Sequence, residues 1–445
     1  MAAVTTTVAD VGVEAPRRSH WIDDWRPEDP TFWAETGERI AKRNLLFSIF
    51  SEHIGFSIWS LWSVFVLFLG PEYGIDPAHK FLLTTVPTAV GAFMRLPYTF
   101  AVAKFGGRNW TIFSAALLFV PTVLAAAVLH PGVSFTTLLA VAAVAGVGGG
   151  NFSSSMANID AFYPQRLKGW ALGLNAGGGN LGVAAVQLMG LLVLATAGSA
   201  HPRVLLAIYI PLIALSLAGA LTAMDNLSAA TNEKRAMRDV LRDRHTFIIS
   251  FLYVGTFGTF IGFGFAFGQV LQVQFKDTFD TPIKAAYLTF LGPLLGSLIR
   301  PVGGKLADRF GGSKVTLTVF AAMAIGAGVV LTASQLGSLP LFIAGFVVLF
   351  VLSGLGNGST YKMIPAIFVA QHGDSTEARR LSRALIGIAG SVGAFGGVLV
   401  NLAFRQSFLS SHSGDRAYMA FIAFYAACFL VTWAVYRRRG SLEGV

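Results

Sequence analysis

The stretch from Arg95 to Thr111 reads Arg-Leu-Pro-Tyr-Thr-Phe-Ala-Val-Ala-Lys-Phe-Gly-Gly-Arg-Asn-Trp-Thr. It has a partner 205 positions later, from Arg300 to Thr316, that reads Arg-Pro-Val-Gly-Gly-Lys-Leu-Ala-Asp-Arg-Phe-Gly-Gly-Ser-Lys-Val-Thr. The arginine, the Phe-Gly-Gly and the threonine fall in register. Upstream, Thr84 and Gly91 match Thr289 and Gly296 at the same offset. Further on, Gly173, Gly179 and Gly182 match Gly387, Gly393 and Gly396 at an offset of 214. The chain therefore consists of two related halves of about 200 residues each, a pattern that in membrane proteins points to a transporter rocking around a midplane site.

Composition says what kind of halves these are. Of 445 residues 54 % are apolar, or about 240, and 13 % are charged, against a usual charged share of about 25 %. At ~20 residues per crossing this supplies about twelve spans. Apolar segments recur at about 44–69, 81–103, 110–130, 135–162, 170–197 and 203–224, then at 246–275, 283–306, 315–335, 339–369, 383–410 and 417–437. The expected architecture is all-α and polytopic: twelve transmembrane helices in two pseudo-symmetric six-helix halves. Its parts are a cytoplasmic N-terminal tail (1–43), an N-terminal bundle (44–224), a cytoplasmic linker (225–245), a C-terminal bundle (246–437) and a cytoplasmic tail (438–445). A short amphipathic helix is expected over Trp33 to Lys42, and no signal peptide precedes the first apolar run. With the tail inside, cytoplasmic regions hold 24 Lys and Arg and outer loops 6, which places both termini in the cytoplasm. The net charge of +10 is thus a mark of topology and not a nucleic-acid surface.

The single cysteine, Cys428, excludes a disulfide framework, and eight histidines without an HExxH spacing speak against a catalytic metal. No cofactor is expected. A membrane enzyme lacks a nucleophile with its base in the spans, and a sensor or scaffold lacks a soluble output domain.

Arg95 and Arg300 carry the chemistry. Each lies 11 residues before its loop glycine, about 16 Å of helix, which is near the middle of a hydrocarbon core about 30 Å thick. An arginine at that depth costs at least about 2.5–3.5 kcal/mol. Snorkelling to the interface, or pairing with Glu52 or Asp160, is the alternative to a functional role. Two arginines at repeat-equivalent positions face each other across the pseudo-twofold axis, and two cations meeting in a dry cavity call for an anion between them. Forked, planar guanidinium donors suit a flat oxyanion. The glycines inside spans let helices approach closely, with packing alone as the simple reading. Packing does not account for Asn151, Asn175 and Asn180, of which Asn180 is the best placed to touch a substrate. Glu52 and His53 lie about one turn before Phe56 and either form a titratable relay or rim the end of the first span. Lys362 either draws anions in or snorkels.

The run Gly148-Gly149-Gly150-Asn151-Phe152-Ser153-Ser154-Ser155-Met156-Ala157-Asn158-Ile159 with Phe162-Tyr163-Pro164 resembles the fourth span of the nitrate/nitrite porter (NarK-like) family of the major facilitator superfamily. Gly173 to Val183 resembles that family's nitrate signature and Gly387 to Gly397 its second copy. Gly303 to Arg309 is similar to the superfamily's cytoplasmic loop motif, with Asp308 and Arg309 as its conformational residues. The first-half copy lacks the aspartate.

The resemblance implies a major facilitator fold in the inner (cytoplasmic) membrane. It also implies nitrate and nitrite as partners alongside the lipid bilayer; a monomer is expected. It assigns substrate binding to Arg95, Arg300, Asn180, Tyr253, Phe152, Phe257 and Phe56, and gating or helix packing to Gly173, Gly177, Gly179, Gly182, Gly387, Gly393 and Gly396. The expected function is alternating access by nitrate/nitrite exchange. Nitrate/proton symport with Glu52 and His53 as relay, or transport of another small organic anion, stays open.

Overall fold

A computed structural model describes residues 20–228, 234–373 and 375–438. Twelve long helices run through it. They are α1 (Pro30–Phe68), α2 (Pro77–Phe105), α3 (Gly107–Val128), α4 (Phe135–Phe162), α5 (Gln165–Thr196) and α6 (Arg203–Ala223) in the first half. In the second half they are α7 (Arg244–Gln274), α8 (Pro282–Phe310), α9 (Gly312–Gln335), α10 (Leu339–His372), α11 (Thr376–Ser411) and α12 (Asp415–Arg437). Eleven are long and apolar enough to cross a membrane. The other, α2, is 29 residues long and carries His79, Lys80, Arg95 and Lys104, which lower its hydropathy.

Local chemistry sets the ends. Asp76, with Pro77 in the first turn, accepts from the His79 amide at 2.9 Å to start α2, and Ser134 accepts from Thr137 at 3.1 Å to start α4. The repeat is visible in the backbone as well. Gly106 and Gly311, 205 apart, both have a φ near +87° (86° and 88°), which glycine alone adopts without strain, and both reverse the chain between paired helices.

The halves meet through α2 against α11, through its symmetry mate α8 against α5, and through α1 against α7. On the face away from the linker this seam is sealed. Phe81 stacks on Phe404 and Phe408 at centroid distances of 6.1 and 5.7 Å, and Thr84 donates to Asn401 Oδ1 at 2.9 Å. Gln187 donates to the Gly264 carbonyl at 2.6 Å, and Gln269 to that of Pro77. On the linker face a cavity of about 500 Å³ penetrates between the halves, from Phe152 and Thr99 at its inner end to Asp160, Lys168 and Arg383 at its mouth. The molecule is closed on one side and open on the other.

One expectation needs correction. Trp33 to Lys42 is not a separate amphipathic helix but the continuous beginning of α1, with Trp33 buried against Tyr163 at 5.6 Å. The described part of the polar segment before it is fastened to the linker. Trp21–Ile22 forms a parallel two-strand ladder with Asn226–Leu227 of the linker, and Arg43 and Asn44 both bond Asp225, at 2.5 and 2.9 Å. The parts of the expected tails at 1–19 and 439–445 lie outside the described residues.

Candidate functional site

Arg95 and Arg300 project inward from α2 and α8, and Arg95 lies over Phe152, which lines the inner end of the cavity. Arg95 is 0 % exposed and Arg300 5 %, which excludes snorkelling for both. Arg95 donates from Nε to the Gly149 carbonyl at 3.2 Å and from Nη1 to the Gly390 carbonyl at 2.9 Å. The first carbonyl is on α4 and the second on α11, so this guanidinium ties its own half to the other. Arg300 donates from Nη2 to the Tyr253 hydroxyl at 3.1 Å, within its own half. Glycine at 149 allows the close approach of α4 to α2 and α1, since a Cβ there would strike Gly91 and Trp59.

Aromatic rings enclose the pair. The Arg95 guanidinium carbon lies 4.5 Å from the Phe152 centroid, 5.0 Å from Phe257, 5.3 Å from Trp59 and 5.7 Å from Phe56. That of Arg300 lies 5.5 Å from Tyr361 and 6.0 Å from Phe257. Both cations therefore address one ring, Phe257, and are no farther apart than the sum of their distances to it. Tyr253 stacks on Phe257 at 5.2 Å and 10°. Faces of this kind stabilise cations by about 0.5–2 kcal/mol each and keep water out.

One polar atom of each arginine is left over. Nη2 of Arg95 and Nη1 of Arg300 are buried without a hydrogen-bond partner, as are both amide atoms of Asn180 and of Asn357 and the hydroxyl of Tyr361. A buried unsatisfied donor costs about 1–3 kcal/mol. At the arginine pair, two positive charges each keep a donor nitrogen without an acceptor, which is the complement of a small anion.

Of the residues expected at the site, Arg95, Arg300, Tyr253, Phe152, Phe257 and Phe56 come together around this point. Asn180 is buried on α5 but bonds none of them. Glu52 is wholly buried, and this excludes the rim reading for it. Its Oε2 accepts from Asn175 at 2.7 Å and from Ser155, while Oε1 has no partner. His53 turns away, its Nδ1 3.0 Å from the Gly178 carbonyl. Asp160 pairs with neither site arginine; it holds Lys168 at 3.2 Å and Arg383 at 3.6 Å across the cavity mouth.

The glycines divide. A Cβ on Gly179 would strike the Glu52 carboxyl, on Gly182 the His53 carbonyl, on Gly393 the Tyr253 ring and on Gly396 the Cα of Gly258. Gly387 has ordinary room beside Thr99 and Met237. Gly173 and Gly177 face open space, so the packing expected there is absent in this conformation. Lys362 neither snorkels freely nor reaches the site, because its ammonium pairs with Asp308 at 2.8 Å and ties α10 to the loop motif. Arg309 lies 5.1 Å over Phe310.

Sequence reasoning missed Trp59, Tyr361 and the carbonyls of Gly149 and Gly390. Trp59 sits at i+3 from Phe56 and so shares its face, a signal that was present. Tyr361 adjoins the conspicuous Lys362 but carries no mark of its own, and a backbone acceptor leaves no trace in side-chain identity.

Residues 45–400 match the family model of the Major Facilitator Superfamily. The chain is 37 % identical over 450 residues to the nitrate/nitrite transporter NarU of Escherichia coli, covering 94 % of this chain and 96 % of that one. It is 32 % identical over 445 residues to the probable nitrate/nitrite antiporter NarK2 of Thermus thermophilus, covering 95 % and 97 %. Among solved structures it resembles the nucleoside transporter NupG with a TM-score of 0.62 at 12 % identity, covering 88 % of this chain and 99 % of that one. It also resembles a bacterial homolog of the lysosomal transporter Spinster, in an inward-facing conformation, with a TM-score of 0.63 at 17 % identity, covering 88 % and 97 %. These last two likenesses bear on the fold alone. With twelve helices in two repeated halves around a central arginine pair, the chain belongs to the Major Facilitator Superfamily and, within it, to the NarK-like family.

Proposed function

We propose that this protein carries nitrate and nitrite across the cytoplasmic membrane by alternating access, exchanging one for the other, as a monomer with both termini in the cytoplasm. The observation that carries the reading is a single one: two buried guanidinium groups from repeat-equivalent positions share the Phe257 ring, and each keeps one N–H without an acceptor. A flat, singly charged oxyanion lying against that ring would accept both. Arg95, Arg300, Phe257, Phe152, Phe56 and Tyr253 form the binding set in this proposal, with Asn180 joining when α5 moves.

The chemistry of the cycle follows from charge. Even at the greatest separation the shared ring permits, two like charges repel by about 1.5 kcal/mol at an effective dielectric of ~20. The empty site therefore resists closure, and a bound anion relieves it. Exchange results when each transit needs an anion in place. The Phe81–Phe404–Phe408 face is sealed and the cavity opens on the linker face, where the basic loops lie; this supports reading the conformation as open to the cytoplasm.

Counterflow in proteoliposomes tests the proposal. Nitrite loaded inside should accelerate entry of labelled nitrate severalfold, and small sugar acids should not compete. Nitrate entry that is undetectable, or is displaced equally well by organic acids, would overturn it.

A further inference from the structure

Tyr361 of α10 stands against the arginine site without a polar contact of its own. Its ring packs on that of Tyr253 at a centroid distance of 5.5 Å and lies 5.5 Å from the Arg300 guanidinium carbon. Part of the ring is exposed, but the hydroxyl is buried and has no hydrogen-bond partner among the described residues. A buried phenol usually finds a partner for its O–H, and leaving it without one costs free energy. The neighbours do not supply an acceptor. Arg300 carries donors only, and the Tyr253 oxygen already accepts from Arg300 Nη2 at 3.1 Å.

The internal repeat shows how this position differs from its mate. Helices α4 and α10 align at an offset of 206, which pairs Gly148 with Gly354, Asn151 with Asn357, Ser153 with Ser359 and Ser155 with Tyr361. In the first half the Ser155 hydroxyl is used within its own half, as a donor to the Glu52 carboxyl. In the second half a much longer side chain occupies that place, and the neighbour is the Tyr253 ring. The hydroxyl is thereby carried farther from the α10 backbone, beside the guanidinium of Arg300, and is left without the acceptor its counterpart has.

Nitrate and nitrite differ at one corner. Nitrate is a flat triangle of three oxygens. Nitrite is bent and has two, and its remaining corner is a nitrogen lone pair that ends one N–O bond short of where the third oxygen stands. The unpaired N–H groups of Arg95 and Arg300 are enough for the two oxygens that both anions possess. We propose that the Tyr361 hydroxyl donates to the third oxygen, and that it is the residue by which this carrier discriminates nitrate from nitrite. With nitrate bound, the phenol gains a charged acceptor. With nitrite bound it stays buried and unpaired, which counts against that complex, as in any site built to bond an atom the analogue lacks. Tyr253 acts differently, because its hydroxyl holds Arg300 and so serves both anions alike. The assignment rests on the nitrate reading of the arginine site and adds to it the source of selectivity.

Calorimetry on the full-length protein, titrated separately with nitrate and with nitrite, tests the assignment. Tyr361→Phe keeps the ring and should weaken nitrate binding about tenfold while leaving nitrite within about twofold. Retained nitrite binding also shows that the variant is folded. Tyr253→Phe should weaken both anions by similar factors. Asn357, one turn earlier on α10, also has unpaired amide atoms, and Asn357→Ala should leave the ratio of the two affinities unchanged. An unchanged ratio in Y361F, or a ratio that moves in Y253F or N357A instead, would overturn the inference while leaving the nitrate reading intact. Wild-type protein that binds neither anion would remove the reading beneath it. Infrared difference spectra of the wild type need no variant. Nitrate should shift the phenol C–O–H bands more than nitrite does, and equal shifts would also overturn the proposal.

Discussion

Gly179 of the first half backs the carboxyl of Glu52; its partner Gly393 in the second half backs the ring of Tyr253. Trp59 likewise lies over Gly91 as Phe260 lies over the equivalent Gly296. These contacts align α1 with α7 at an offset of 201, which makes Phe56 the counterpart of Phe257 and Glu52 the counterpart of Tyr253. One slot of the duplicated scaffold therefore holds a titratable acid and its mirror a phenol. The arginines differ in the same sense. Among the described residues Arg95 is held by two backbone carbonyls, one from each half, whereas Arg300 is held by the Tyr253 hydroxyl alone. Duplication supplied two similar frames, and specialisation made one a rigid bridge and the other a softer donor arm.

Lysine at either arginine position would break this comparison most severely. R95K keeps the charge but loses the fork that spans Gly149 and Gly390, and charge-assisted bonds are worth about 1.5–3 kcal/mol each. Nitrate counterflow should fall at least a hundredfold in R95K. R300K, which loses one such bond, should fall by somewhat less; equal losses would show the two frames to be equivalent after all. Next, Tyr253→Phe retains the stack on Phe257 and removes the one hydroxyl that positions Arg300, so nitrate affinity measured by calorimetry should weaken about tenfold.

The paired glycines sharpen the contrast at smaller scale. G393A presses a methyl into a stacked ring and should cost about 1–3 kcal/mol in thermal stability. G179A meets the buried Glu52 carboxyl that Ser155 and Asn175 hold, but in a helix alanine regains up to about 1 kcal/mol, so its net cost should be smaller. A reversal of that order would mean that Glu52 is held more rigidly than Tyr253.

The smallest effect concerns the linker. Arg380 on α11 bonds Asp239 of the linker helix Lys234–Val240 at 2.7 Å and Glu377 at 2.8 and 2.9 Å, and holds both carboxyls below their usual values. Groups so lowered contribute stability above their unfolded values, near pH 4–4.5, and lose it as the pH falls through the folded ones. The thermal midpoints of wild type and R380A should differ slightly at neutral pH and converge in acid. A gap that stays constant with pH would mean that the latch acts by packing alone.

The number of spans, the repeat and both arginines were legible because each leaves a long-range numerical trace: hydropathy over ~20 residues, a fixed offset, a charge where charge is costly. Phe257 and Tyr253 were reachable through family resemblance. What could not be read depends on distance in space. Nothing in the residue type says that the Gly390 carbonyl meets Arg95, that Lys362 finds Asp308 on another helix, or that Gly173 opens on a void. The docking of residues 20–23 onto the linker escaped for a related reason, since a two-residue strand is too short to show a period.

The helix that bears Arg95 is also the one that falls short of the apolarity of the other eleven. An arginine at mid-depth costs at least about 2.5–3.5 kcal/mol on insertion, so α2 gains more than its neighbours from entering the bilayer beside them, where the Gly149 carbonyl of α4 accepts from the guanidinium. A variant that lowers the hydropathy of α2 further should therefore be checked for membrane insertion before its transport is measured.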